Sequence, residues 1–219
     1  MKRILLINLK TYPQGTGDDA LKLANIARNF SREDLDIILS VQPTDLARVS
    51  QVIRTFSQHI DSVEYGSNTG WILPEAVKKA GASGTLINHS ERRLPLEDVE
   101  KRVRRAKQLG LATVCCASDP ANAEEIARLN PDYIAIEPPE LIGGDISVSE
   151  AKPEVISEAV ERVRRINPEI KVLCGAGVNS CQDIKKALEL GAVGILVASA
   201  IVKSPEPEKA IEELVKGFE

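Results

Sequence analysis

Aromatic residues make up only 3% of the 219-residue chain, so any core must rest on Ile, Leu, Val and Ala. A basic excess is missing too. Lys and Arg number 28 against 32 Asp and Glu, and the formal charge of −4 leaves no electrostatic footprint for nucleic acid. No apolar run approaches the ~20 residues that a membrane span needs. Met1-Lys2-Arg3-Ile4 passes straight into a strand pattern rather than a signal peptide. The expectation is a cytoplasmic chain with neither nucleic acid nor membrane as a partner. Histidine is scarce, with only His59 and His89, and the four cysteines are Cys115, Cys116, Cys174 and Cys181. Adjacent Cys115 and Cys116 would face opposite sides of a strand, which suits neither an easy disulfide nor a zinc knuckle. Reduced core thiols and no His/Cys metal site are therefore expected.

What the chain does have is 43% hydrophobic residues, enough for a sizeable core, in a regular alternation of patterns. Eight short β-type runs fall at 4–10, 36–41, 55–59, 84–89, 112–116, 133–137, 171–175 and 193–198. Most are continuous apolar stretches, as expected for parallel strands covered on both faces. Apolar residues at three- and four-residue spacings mark helices over 20–28, 95–109, 121–129, 153–166, 180–190 and 205–216. Asp119-Pro120 reads as an N-cap followed by proline at the first helical position. Helices stop at Gly81, Gly110 and Gly191, and again at Asn130-Pro131 and Asn167-Pro168.

No linker or low-complexity segment divides the series, so residues 1–219 read as a single α/β domain. Eight βα units favour a closed (β/α)8 TIM barrel. Since 219 residues fall short of the ~250 typical of that fold, helices and loops must be trimmed. An open doubly wound sheet is the alternative. It should carry a glycine-rich nucleotide loop after the first strand, where this chain has Asn8-Leu9-Lys10-Thr11-Tyr12-Pro13.

In a barrel, chemistry sits at the carboxyl ends of the strands. Asn8 and Lys10 end the first strand and share a face, while Leu9 points the other way. A lysine there is commonly a solvated terminus. Beside an amide at the barrel mouth it would suit a small anionic substrate. His89 ends the fourth strand, in Asn88-His89-Ser90-Glu91-Arg92-Arg93, and a helix N-terminus nearby would keep its imidazole neutral. A lone histidine is more often a hydrogen-bonded loop residue, and His59 reads as one. Glu137 ends the sixth strand, where a carboxylate is costly unless paired or used, because burial disfavours its charge. Pro138 and Pro139 then forbid an immediate helix, and Leu141-Ile142 are wasted on a surface loop unless they close over something. Gly175-Ala176-Gly177-Val178 and Leu196-Val197-Ala198-Ser199-Ala200 end the last two strands with small residues, through which backbone N–H groups can approach a phosphate.

Together these residues resemble the triosephosphate isomerase family, in its short archaeal form, along nearly the whole chain. The segments that carry the likeness are Asn8-Leu9-Lys10-Thr11-Tyr12, Asn88-His89-Ser90-Glu91-Arg92-Arg93, Glu137-Pro138-Pro139-Glu140-Leu141-Ile142-Gly143 and Ala151-Lys152-Pro153-Glu154. The resemblance implies interconversion of dihydroxyacetone phosphate and glyceraldehyde 3-phosphate, with no metal and no cofactor. Carried over, Glu137 would be the base, His89 the neutral electrophile, and Lys10 the cation beside phosphate and oxyanion. Asn8 would hydrogen-bond beside Lys10, and Glu91 would support the site from near the helix start. Ile142 and Gly143 would close as a lid, joining Gly177, Ala198 and Ser199 around the phosphate. Such a lid keeps water from the enediolate, which would otherwise lose its phosphate.

One departure stands out: the family's usual Gly-Thr-Gly at the far hinge reads Gly143-Gly144-Asp145 here. Aspartate takes positive φ less cheaply than glycine, which bears on hinge geometry and opening rate. Gly66-Ser67-Asn68-Thr69-Gly70 resembles the family's interface loop. Thr69 would then buttress Lys10 of a neighbouring subunit in a homodimer or homotetramer. Other phosphate-binding barrels, such as sugar-phosphate epimerases, would place a metal pair or different acids at the strand ends. A silent sugar-phosphate-binding barrel leaves the trio of Lys10, His89 and Glu137 without a reason.

Overall fold

A computed structural model describes residues 2–139 and 153–219. Its strands are β1 (Arg3–Asn8), β2 (Leu35–Val41), β3 (Thr55–Ser57), β4 (Gly84–Ile87), β5 (Ala112–Ala117), β6 (Tyr133–Ile136), β7 (Lys171–Cys174) and β8 (Gly194–Val197). All pair in parallel with their sequence neighbours, and β1 pairs with both β2 and β8. The sheet therefore closes on itself, which excludes the open-sheet alternative.

Strand alternation sorts the core into two layers. Ile4, Leu6, Ile38, Phe56, Leu86, Val114, Cys116, Ala135, Leu173 and Leu196 fill the barrel interior. Their chain neighbours, such as Leu5, Ile7, Ile87, Cys115 and Ile136, pack outward against the helices. Each fully buried Ile or Leu contributes about 1.5–3 kcal/mol, so this aliphatic double layer compensates for the few aromatics. Cys115 and Cys116 fall in different layers, and all four cysteines are free and buried. Burial pushes the Cys115 thiol up out of its ordinary range, and that of Cys174 to about 12.

The described helices are α1 (Asp18–Ala27), α2 (Leu46–Val49), α3 (Pro74–Lys79), α4 (Leu96–Gln108), α5 (Pro120–Ala127), α6 (Pro153–Ile166), α7 (Cys181–Glu189), α8 (Ser199–Val202) and α9 (Pro207–Val215). Trimming falls mainly on α2 and α3, which have four and six residues. Asp119 caps α5 by accepting from the Asn122 N–H at 2.8 Å, as expected. The helix stops at Gly81, Gly110, Gly191 and Asn130 all take left-handed φ, from 56° to 97°. No helix among the described residues is long and apolar enough to cross a membrane.

Six of the eight sequence-based strands overrun the observed ones at their carboxyl ends, while 36–41 ends with β2 and 112–116 stops one residue short of β5. Runs 4–10 and 84–89 stop pairing at Asn8 and Ile87 because Lys10 (φ 48°) and Asn88 (φ 62°) turn left-handed and leave the ladder. These breaks lie at the carboxyl mouth of the barrel, where the candidate side chains gather.

Candidate active site

Asn8, Lys10, His89, Glu137, Gly177, Ala198 and Ser199 all line one cavity of about 100 Å³ at the carboxyl ends of the strands. Asn8 continues the inward series of Ile4 and Leu6, and Glu137 that of Ala135, so alternation delivers both to the mouth. Glu137 is only 2% exposed. His89 Nε2 lies 3.1 Å from Glu137 Oε1, and the Ser90 N–H donates to Glu137 Oε2 at 3.0 Å. Burial pushes the Glu137 carboxyl up. The His89 hydrogen bond, the Ser90 N–H and the Arg93 guanidinium outweigh it, holding the group below its ordinary value.

The imidazole is held from its other side. The Glu91 N–H donates to His89 Nδ1 at 3.2 Å, which makes Nδ1 an acceptor and puts the ring proton on Nε2. This donor sits in a turn, since α4 starts only at Leu96, so the helix N-terminus expected beside His89 is replaced by one turn N–H. Asn8 Nδ2 comes within 3.4 Å of His89 Nε2, so two donors face the same cavity.

Lys10 Nζ donates to Glu91 Oε1 at 2.7 Å; the lysine side chain is 16% exposed and the glutamate 57%. The Lys10 backbone is held left-handed by two amides. Its N–H donates to Asn8 Oδ1 at 3.0 Å, and its carbonyl accepts from Gln58 Nε2 at 2.8 Å. Sequence reasoning missed Gln58, although alternation points to it. Phe56 faces inward, so Gln58 does as well and reaches Asn8 and Lys10, while His59 turns its ring to Asp61. His59 is buried against Asp61, Nε2 to Oδ1 at 3.1 Å, and burial pushes its imidazole down.

On the far wall, Gly177 has φ 67°, a conformation suited to glycine, and Ser199 opens α8. The first N–H groups of a helix have no carbonyl of their own, so this rim offers donors to an anion. Gly175 has a different reason to be small from the one expected. A Cβ there would sit 2.8 Å from Glu137 Cγ and 2.9 Å from the Ile136 carbonyl. The missing side chain is the seat of the glutamate.

A second cavity of about 460 Å³ adjoins the first and shares Asn8, Lys10, Tyr12 and His89 with it. Thr69 lines neither cavity of its own chain and is exposed. Ile142, Gly143 and the hinge departure at Asp145 lie outside the described residues. Among the described residues no three His, Cys, Asp or Glu side chains gather as a metal site.

The family model for triosephosphate isomerase matches residues 3–216. A triosephosphate isomerase of Methanosarcina acetivorans is 47% identical over 215 residues, covering 97% of both chains. One of Methanocaldococcus jannaschii is 46% identical over 216 residues, covering 97% of this chain and 99% of its own. One of Methanobacterium bryantii is 45% identical over 215 residues, 97% of this chain and 95% of its own.

Proposed function

The chain belongs to the triosephosphate isomerase family, and from that premise we propose that Glu137, His89 and Lys10 carry the isomerisation of a phosphorylated triose in the smaller cavity. The observation that carries the proposal is the 3.1 Å approach of His89 Nε2 to Glu137 Oε1 beside the Lys10 ammonium. A base, a neutral donor and a cation then surround a space of about 100 Å³, suited to a three-carbon substrate.

Dihydroxyacetone phosphate enters with its phosphate on the rim of Gly177, Ala198 and Ser199. Its carbonyl oxygen O2 faces His89 Nε2–H, Asn8 Nδ2 and Lys10. Glu137 takes a proton from C1, and the C–H electron pair becomes the C1–C2 double bond of the enediolate. The charge that develops on O2 meets three donors already in place. His89 gives its Nε2 proton to O2 and takes one back from O1. Glu137 returns its proton to C2, and the aldehyde forms at C1 with no net gain or loss of protons.

Substrate also changes the base. Entry between His89 and Glu137 parts the pair, removes the hydrogen bond that opposes burial, and lets desolvation raise the carboxylate's basicity where it is needed. Ile142 and Gly143 complete the proposal as the closing lid, and Glu91 as the carboxylate that orients Lys10.

The same reading takes residues 1–219 as one domain, places the protein in the cytoplasm and has it self-associate. Exposed Tyr65 and Trp71 flank the loop of Thr69, and the 460 Å³ cavity beside Lys10 is open to receive such a loop from a second copy. The test is a coupled assay with glyceraldehyde 3-phosphate on wild type, Glu137→Asp and His89→Gln. Active wild type is expected, with kcat losses of at least ~10²-fold in each variant, as for removal of a positioned acid or base. Wild type no faster than buffer would sink the proposal.

A further inference from the structure

His89 is out of phase with its own strand. Leu86 points into the barrel and Ile87 outward, so regular alternation would turn residue 88 inward and His89 toward the helices. His89 instead lines the cavity and reaches Glu137. The switch lies in Asn88, which takes φ 62° between them. A left-handed residue reverses the facing of the residue after it, and asparagine tolerates that conformation better than most side chains.

The Asn88 side chain holds the turn. Parallel pairing of β4 and β5 ends at Ile87 and Cys115. Where the next rung would fall, Asn88 Nδ2 donates to the Cys116 carbonyl at 2.9 Å, replacing the backbone bond that the turn gives up. Asn88 Oδ1 accepts the Leu94 N–H at 2.8 Å and so closes the far end of the loop that carries His89. Arg93 Nη1 donates to the Asn88 and Cys116 carbonyls at 2.8 and 3.0 Å, sealing the same corner. At 4% exposure, Asn88 has both ends of its amide used inside the protein.

We infer that Asn88 is a positioning residue, which inverts the facing of β4 and clamps it inverted so that His89 meets the substrate. The inference rests on the role proposed above for His89.

Four proteins test it: wild type, N88A, H89Q and N88A/H89Q, each checked for folding by circular dichroism. Alanine resists left-handed backbone and has no amide, so N88A should lower kcat at least ~30-fold. The dissociation constant of inorganic phosphate, held on the opposite rim, should move less than ~threefold. With the imidazole already gone only the loop's Ser90 and Glu91 contacts remain to be misplaced, so adding N88A to H89Q should cost far less than N88A alone, within ~threefold of H89Q.

Wild-type kcat in N88A overturns the inference. So does a multiplied loss in the double variant, the mark of a general structural defect. Should N88A not fold, N88G carries the test, because glycine keeps the turn and loses only the clamp. Its kcat should fall about 3–10-fold, and the fall should vanish in the H89Q background. An unchanged kcat in N88G, or a fall that persists with H89Q, overturns the clamp. Failure of the underlying reading shows separately, as full activity in H89Q itself.

Discussion

Glu137 and His89 matter most as a pair, because the imidazole helps to set the state of the carboxylate before substrate arrives. Burial alone would raise the carboxyl of Glu137, yet the imidazole, the Ser90 N–H and Arg93 together hold it below the ordinary glutamate range. A carboxyl whose folded pKa lies below its unfolded one stabilises the protein when ionised. That contribution is complete above the ordinary glutamate value and is lost as pH falls through the lower, folded value. Carbon NMR titration of the Glu137 carboxyl should thus give a midpoint below that of an unfolded glutamate. The midpoint should rise when a triose-phosphate-like anion parts the carboxylate from His89. A free-protein midpoint at or above the ordinary value would show that His89, Ser90 and Arg93 do not hold the carboxylate down. Lys10 needs a different kind of support. Its ammonium is oriented by Glu91 at 2.7 Å, and its left-handed backbone is braced by the amides of Asn8 and Gln58.

Between elements, the approach of β6 to β7 decides where the Glu137 carboxylate can sit. Gly175 follows β7, and a methyl group there would meet both Glu137 Cγ and the Ile136 carbonyl inside 3 Å. Gly175→Ala should displace the carboxylate and cost ~10–10²-fold in kcat, as small misplacements of reacting groups do. Overpacking should also cost about 1–3 kcal/mol of stability, read from denaturant unfolding. An alanine variant with unchanged kcat would show that the glutamate does not depend on this seat. Much at this scale could be read from the sequence. Period-two facing put Asn8 and Lys10 together, the cost of a strand-end carboxylate pointed to Glu137, and the Asp119 cap and the glycine stops fell where expected. His89 could not be placed by the same rule, because its facing depends on one backbone torsion at Asn88, and nothing in an asparagine's local pattern announces a positive φ. The four residues of α2 are too few to show a helical period, and the spacing of Gly175 from Glu137 exists only across two paired strands.

For the whole molecule, the open question of function is whether one barrel suffices. The neck of the loop carrying Thr69 is pinned shut: the Asp61 N–H donates to the Ile72 carbonyl at 2.9 Å, and the Ile72 N–H to Asp61 Oδ2 at 2.8 Å. Arg102 of α4, nearly buried itself, grips that neck through Asp61 Oδ1 at 3.2 Å and the Ile60 carbonyl at 3.0 Å. The loop between the pinned ends is thus a preformed projection, with Tyr65 and Trp71 exposed at its flanks and Thr69 exposed beyond. Preformed projections bind with little ordering cost, and exposed aromatics are the usual anchors of protein interfaces. A cavity of about 460 Å³ beside Lys10 and His89 stays open among the described residues and lies next to the proposed chemistry. Insertion of one subunit's loop into another's cavity would therefore couple assembly to the setting of Lys10. Thr69→Glu would bring a carboxylate into that cavity without touching the core of its own barrel. Light scattering should then show a smaller species, and kcat should fall together with assembly, by ~10-fold or more if Lys10 loses its buttress. Unfolding of the variant barrel should stay cooperative, since Thr69 is exposed and lines neither cavity of its own barrel. A fully active Thr69→Glu monomer would break the link between the loop and the site.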